Sequence, residues 1–426
     1  MKILLILIFA AQLIIAQSNK SDTVSISIEQ AVKTALVQNE QLLSDNANTL
    51  KSELAIDEAK ADFLPKVDLA FNYVYNDIVP GFKKIELGNI EHDLFPRVAI
   101  SQTIFEGGKI EKTKLLKELS LNSQKLSHQE KELSVKLLIN AAYYKMQTAL
   151  NQIEITKSTI LQLLLHKKYA RLLVDAGRLS KLELNRIDVE ISNLQNALLS
   201  LQNNYSDACY NLNLIMGKND LTFYIPADSL TVDDLKVAKE ELVSKAIKVH
   251  PLIRKYDSDI EKAKVSSEIQ KSAYLPKISA LAYFGYEFGF EQFSFDNNKR
   301  YFVGLDLRMP IFDGGKIKSK VAQANTDIDR LKFDKSYFIH QLSVNVEDLY
   351  NRLNELKDKI VVQKQSLKQM QESYRLALLE YQAGRRSNTD LLDIQKSLFK
   401  VKLELNSIMI NYNLIKAQLL YKTGLL

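Results

Sequence analysis

The stretch Ile104-Phe105-Glu106-Gly107-Gly108-Lys109-Ile110 returns later in the chain as Ile311-Phe312-Asp313-Gly314-Gly315-Lys316-Ile317. Each copy closes a segment whose apolar residues alternate and opens a run with neither glycine nor proline, from Lys109 to Ala176 and from Lys316 to Ala383. Paired glycines are what a chain needs to turn from extended into helical geometry at once, because glycine alone enters left-handed φ freely. At ~1.5 Å per residue, each uninterrupted run predicts about 100 Å of helix, far more than a globular core requires. Two further runs, Arg178 to Met216 and Arg385 to Thr423, also lack both residues.

Working outward, other landmarks also come in pairs. Phe63-Leu64-Pro65-Lys66-Val67 recurs as Tyr274-Leu275-Pro276-Lys277-Ile278, Ala176-Gly177-Arg178 as Ala383-Gly384-Arg385, and Gly217 as Gly424. Pro65 and Pro276 stop a helix and bias the preceding residue to extended geometry, so they read as helix-to-strand junctions. Gly107, Gly108, Gly314 and Gly315 read as the reverse junctions, and Gly177 and Gly384 as the tips of two helical hairpins. Leu184, Ile187, Ile191, Leu194, Leu198, Leu201, Tyr205, Ala208, Leu212 and Ile215 alternate spacings of three and four, as in a coiled-coil seam, and Leu391 to Leu419 repeats the register. Cys209, the sole cysteine, flanks that seam's packed face without sitting in it and reads as a small, partly buried apolar residue.

Four short segments have a two-residue period and many aromatics, and are expected as strands at about 66–76, 97–106, 277–290 and 301–312. Val67, Leu69, Phe71, Tyr73 and Tyr75 face one way in the first; Ile278, Phe284, Tyr286 and Phe288 do so in the third. That pattern, about ten residues long, is the signature of membrane-barrel strands. Four strands cannot close a barrel, and an open edge in lipid leaves backbone groups unpaired, so several copies would have to share one. The loops 76–93 and 291–300 would face outward. The expected fold class is therefore an α+β membrane protein, mostly long coiled-coil helices, with four transmembrane β-strands per protomer and two internal repeats. The boundaries that follow are residues 1–16 as a secretory signal, 17–220 as the first repeat, 221–235 as a linker and 236–426 as the second repeat. Lys2 followed by the apolar run Ile3 to Ile15 and Ala16 has the layout of such a signal and is too short for a membrane span.

Composition excludes little else. The net charge is +6, with Lys and Arg scattered among Asp and Glu, which describes a solvated helical surface and no nucleic-acid footprint. The five histidines, His92, His128, His166, His250 and His340, show no metal-ligand spacing and read as surface or packing residues. There is no phosphate loop or nucleophile elbow. The chain reads as no enzyme, with no metal and no cofactor.

With these motifs in order, the sequence resembles the TolC-type outer-membrane efflux family. The resemblance is carried by Ile28-Glu29-Gln30-Ala31-Val32 with Asn39, the Leu-Pro-Lys strand entries, the Ile-Phe-x-Gly-Gly-Lys exits, and the Tyr381-x-Ala383-Gly384 tip followed by Asp390-Leu391-Leu392-Asp393. It implies a homotrimer in the outer membrane, three protomers sharing one β-barrel, with a periplasmic helical tunnel that narrows at the hairpin tips. It also implies a periplasmic adaptor protein and an inner-membrane pump of RND or ABC type as partners. Asp390 and Asp393, one helical turn apart, match the family's acidic aperture; stacked carboxylate rings favour cations. The other reading of these two acids is first-turn helix charge, with Asn388 or Thr389 as the cap. Tyr381, Arg386 and Glu183 match the family's gate links, although Leu182 puts an apolar residue beside them. The implied function is the exit duct of a tripartite efflux or type I secretion system; the alternative is an adhesive or structural coiled-coil protein anchored by a small barrel.

Overall fold

A computed structural model describes residues 23–75, 92–235, 237–291 and 294–426. The expected signal (1–16) and most of the loop 76–93 lie outside the described residues. In chain order the elements are β1 (Thr23–Ile26), α1 (Ile28–Gln38), α2 (Glu40–Ala61), β2 (Lys66–Tyr75), β3 (His92–Glu106), α3 (Lys109–Asp175) and α4 (Lys181–Met216). They continue as β4 (Phe223–Pro226), α5 (Lys239–Val249), α6 (Pro251–Ser272), β5 (Lys277–Glu291), β6 (Ser294–Arg308), α7 (Lys316–Gln382) and α8 (Asn388–Lys422). The succession β-α-α-β-β-α-α thus runs through twice, and α3 and α7 are both 67 residues long. Among the described residues no helix is long and apolar enough to cross a membrane.

The chain divides into two compact units. One comprises residues 46–127 and 252–338 and carries a four-stranded antiparallel sheet in the order β2-β3-β5-β6. Its register aligns Leu69, Val98, Phe284 and Tyr301 in one row, and Val67, Ile100, Ala282 and Val303 in the next. Those rows share a face, and that face is bare: Leu69 is 67 % exposed and Val303 82 %. The opposite face carries Ala70, Arg97, Gly285 and Arg300 in a row. There Arg97 lies over the Phe95 ring and Arg300 pairs with Glu287. Each of β2 and β6 has one ladder partner among the described residues, so both edges are open.

Three strand boundaries differ from the sequence expectation. β3 begins at His92, five residues early, because it passes through Pro96, where apolar alternation breaks. The β3–β5 ladder skips this point between Leu94 and Arg97; a proline has no N–H to give. A Cβ on Gly285 would lie 2.9 Å from the Arg97 Cα, so the strands approach closely there. β6 begins at Ser294 inside the expected loop 291–300, pairing back on β5 as a hairpin. It ends at Arg308 and not at residue 312, because Pro310 stops the ladder and leaves Ile311 and Phe312 almost fully exposed. Ile104 is the extra residue of a bulge opposite Ser279 and Ile278, the irregularity that precedes the strand-to-helix junction.

That junction uses left-handed backbone at two successive residues, with φ +61° and +73° at Gly107 and Gly108, and +65° and +83° at Gly314 and Gly315. Gly107 is also sterically obliged, since its Cβ would stand 2.9 Å from the Ser272 carbonyl oxygen.

The other unit comprises residues 23–45, 128–251 and 339–426 among those described. Its main core gathers Ala31 and Ala35 of α1, Leu42 of α2, Ile139, Tyr143 and Met146 of α3, and Leu212 and Met216 of α4. The presumed linker 221–235 contributes here, because β4 pairs in parallel with β1. Tyr224 on β4 is fully buried and donates its hydroxyl to the Asn213 side chain at 2.8 Å. This strand covers the flank of α4, so Cys209 is fully buried, deeper than the flanking, partly buried place expected for it. Burial pushes its thiol pKa up and keeps it protonated.

Caps fix the helix ends in this unit. Ser27 and Gln30 form a reciprocal capping box on α1. Asn39 breaks α1 from α2: its Oδ1 accepts from the Gln41 and Leu42 N–H groups, while its Nδ2 donates to the Ile215 carbonyl at 2.7 Å. Asp228, just after β4, anchors the first copy's start. Its Oδ2 accepts from the Ile28 N–H at 2.8 Å and the Tyr143 hydroxyl at 3.0 Å. Asp228→Ala orphans the Ile28 donor and is expected to cost about 1–3 kcal/mol. A thermal melt of the variant that matched the parent's would show that this anchor does not hold β4 in place.

Candidate gate at the hairpin tips

The two tips close in the same way. At the first, Gly177 has φ +68° and the Arg178 N–H donates to the Leu173 carbonyl at 2.8 Å. At the second, Gly384 has φ +70° and the Arg385 N–H donates to the Glu380 carbonyl at 2.8 Å. Each is a Schellman-type stop, in which glycine supplies the left-handed residue and the freed carbonyls are satisfied within the turn. Restarting differs between them. Ser180 precedes α4 without a side-chain cap bond, whereas Ser387 accepts from the Asp390 N–H at 3.1 Å. Ser387 is therefore the cap of α8, not Asn388 or Thr389.

Below the turns, α3, α4, α7 and α8 share small apolar clusters. Leu163, Ala170, Ile187, Ile191, Leu194 and Leu392 form one, and Ala377, Tyr381 and Leu391 another. Polar bonds then tie the start of α4 to the start of α8. The Asn388 Nδ2 donates to Glu183 Oε2 at 2.8 Å, and the Arg186 Nη1 donates to Thr389 Oγ1 at 2.7 Å while pairing with Glu183 at 3.2 Å. Lys396 pairs with Glu190 at 3.0 Å two turns further on. Tyr169 of α3 donates its hydroxyl to the Gln382 carbonyl of α7 at 3.0 Å.

The residues singled out in the sequence fall into two groups. Asp390 and Asp393 are both exposed, one turn apart on α8, and neither carboxylate has an ion-pair partner among the described residues. Glu183 is held within the chain by Asn388 and Arg186. Arg386 does not reach Glu183; its Nε donates to Glu380 at 2.7 Å across its own turn. Tyr381 does not reach it either. It is buried to 3 % exposure, packed edge-on against the rings of His166 and Tyr169, and its hydroxyl has no hydrogen-bond partner among the described residues. Burial, with Tyr169 and Glu183 nearby, pushes its phenol pKa up to about 12. Asn388, Thr389 and Arg186, which make the ties actually present, were not read as gate residues. Asn388 is an apolar-facing asparagine one heptad before Gln395, and that spacing was the available signal.

Residues 242–420 match the model of the outer membrane efflux protein family. The chain is 20 % identical to outer membrane protein TolC of Salmonella enteritidis over 414 residues, covering 94 % of this chain and 82 % of that one. In fold it is similar to the outer membrane channel CmeC of Campylobacter jejuni, with a TM-score of 0.80 at 15 % identity over 96 % of this chain and 90 % of CmeC. A membrane protein from Pseudomonas aeruginosa gives a TM-score of 0.80 at 17 % identity, over 95 % of each chain. Motifs at both strand junctions, the family match over residues 242–420 and the shared fold agree: the chain is similar to the outer membrane efflux proteins.

Proposed function

We propose that this chain is the outer-membrane exit duct of an efflux or type I secretion system, assembled from three copies. The observation that carries this reading is the sheet: four strands, one bare apolar face and two open edges, continued through glycine pairs into helices of 67 residues each. In lipid an open edge costs several kcal/mol per unpaired group, so the edges must be closed by other copies. Eight strands from two copies would fill with their own side chains, whereas twelve from three leave a lumen. The doubled succession of elements is read as an internal repeat whose two hairpins both contribute to a periplasmic tube. The duct is passive; energy and cargo selection belong to an inner-membrane pump joined through a periplasmic adaptor. The similarity to TolC and to CmeC supports that division of labour.

At the tips, the exposed Asp390 and Asp393 become two acidic rings when three copies surround one axis, a constriction that favours cations. Tyr381 and Arg386 are proposed as the links between neighbouring tips, which for Tyr381 requires its buried ring to turn out from against His166 and Tyr169. For Arg386 this means exchanging the Glu380 carboxylate for an acceptor on the next copy, a charge-assisted bond that breaks without unfolding the helix. The test is planar-bilayer conductance of the purified oligomer carrying Tyr381→Phe with Arg386→Ser. Conductance severalfold above that of the parent is expected; equal conductance would remove these two residues from the gate.

A further inference from the structure

Six buried polar atoms without a hydrogen-bond partner among the described residues gather around His166 between the hairpins. They are both ring nitrogens of His166 on α3, the Tyr381 hydroxyl on α7, and Asn388 Oδ1 with both amide atoms of Gln395 on α8. All four residues are at least nine-tenths buried: His166 is 4 % exposed, Tyr381 3 %, Asn388 and Gln395 2 % each. The His166 ring stands edge-on to the Tyr381 ring at 5.0 Å between centroids. Asn388 and Gln395 are seven residues apart, so they lie on one face of α8, turned toward α3. An orphaned buried polar group costs about 1–3 kcal/mol, so a cluster of them marks a joint that is easily parted.

The charges around this pocket are accounted for. From α4, Glu183 is held by Asn388 and Arg186, and Asp188 by Lys167. From α7, Glu380 is held by Arg386. From α8, Lys396 is held by Glu190, and from α3 itself Tyr169 is bonded to Gln382. None of these puts a countercharge against the imidazole. His166 is thus the group on which a proton would arrive without compensation.

We propose that the His166 pocket is a proton-operated latch: α7 and α8 stay packed on α3 only while the imidazole is neutral, and its protonation releases them. The direction follows from burial. Desolvation lowers the His166 pKa to about 4 in the packed state, against 6.5 for a free imidazole, outweighing the polar side chains of Asn388 and Gln395, which act the other way. A base with a depressed pKa stabilises the packed state fully above pH ~6.5 and loses that contribution as pH falls toward ~4. Between pH 7.5 and 4.5 the ratio of released to packed hairpins should rise on the order of 70-fold from this group alone.

The test is electron–electron distance measurement on the full-length oligomer, spin-labelled at Leu165→Cys on α3 and Ser397→Cys on α8 and diluted with unlabelled chains. Cys209 is fully buried and stays unlabelled. A single narrow distance at pH 7.5 should give way to a longer population at pH 4.5, with a midpoint between 4 and 6.5. His166→Gln should remove the pH response, and His166→Phe, which fills the same space without a basic atom, should do the same if the glutamine variant fails to fold. An unchanged distance in the parent, or an equal response in either variant, overturns the latch. That latch is a property of this chain's packing; its consequence for opening rests on the duct reading. Conductance at the two pH values separates the two: a distance change without a conductance change retains the latch and counts against the duct.

Discussion

Leu69→Arg is expected to cost about 2–4 kcal/mol of folding free energy in lipid, the largest effect foreseen for one side chain in the sheet. Leu69 stands in the row with Val98, Phe284 and Tyr301, and none of the described residues covers that face. If the face meets hydrocarbon, a guanidinium there must snorkel or thin the bilayer. If the face meets water, the same substitution replaces one exposed side chain by a more soluble one and costs nothing. Asn72→Arg, three residues on and on the opposite face, is the control and should be within about 0.5 kcal/mol of the parent. Urea titration of refolding into vesicles reads both. Equal behaviour of the two variants would place the apolar face in water and remove the membrane assignment.

The second large effect is expected at Gly217, where the first hairpin returns to the start of its own unit. This glycine ends α4 with φ +72° and donates its N–H to the last-turn carbonyls of Asn213 and Leu214. A Cβ there would lie 2.6 Å from the Gln38 carbonyl carbon and 3.1 Å from the Asn39 nitrogen, both backbone atoms. Left-handed strain costs about 1–2 kcal/mol for a non-glycine residue, and displacing the α1–α2 junction adds to it. Gly217→Ala should therefore lose about 3 kcal/mol or more. Gly384→Ala has the same sign of φ but nothing within 4 Å of the new Cβ, so it should lose only about 1 kcal/mol. Thermal unfolding of the two variants side by side separates strain from collision; equal losses would mean that the Gly217 contact yields.

Much of this architecture is legible in the chain because its determinants are local. Paired glycines, Leu-Pro-Lys entries and long stretches free of glycine and proline each act on their own few residues, and the structure places left-handed glycines and helix ends where those residues stand. What escaped the sequence depends on distant partners. β4 is four residues long, too short for a visible period, and exists because β1 lies beside it, 200 residues earlier in the chain. The same distant pairing buries Cys209, since a heptad count on α4 registers one seam and not the second face covered by Tyr224. Pro96 leaves β3 longer than expected and Pro310 ends β6 earlier: a proline at a skipped ladder position is tolerated, and one beyond the last pair is a stop. At the tips, Asp390 and Asp393 could be placed on a common helical face by spacing alone. The partners of Glu183 and Tyr381 could not, because each is chosen by a neighbouring helix, while Arg386 closes back on Glu380 across its own turn. His166 gave no signal as a lone histidine; it acquires meaning only when Tyr381, Asn388 and Gln395 close around it.

The shared barrel can be tested at its seams. β2 and β6 are the open edges and are separated by β3 and β5, so within one chain they stand about 14 Å apart at ~4.8 Å per strand. A disulfide needs Cα atoms within about 7 Å, so cysteines on the two edges cannot join inside one copy of this sheet. Single cysteines at Leu69, Phe71 or Tyr73, each combined with one at Tyr301, Val303 or Leu305, should be oxidised in outer-membrane fractions and resolved by non-reducing electrophoresis. A trimeric barrel predicts that at least one pairing gives a ladder of covalent species ending at three chains. Monomer alone at every pairing, or a ladder that ends at two, would contradict it.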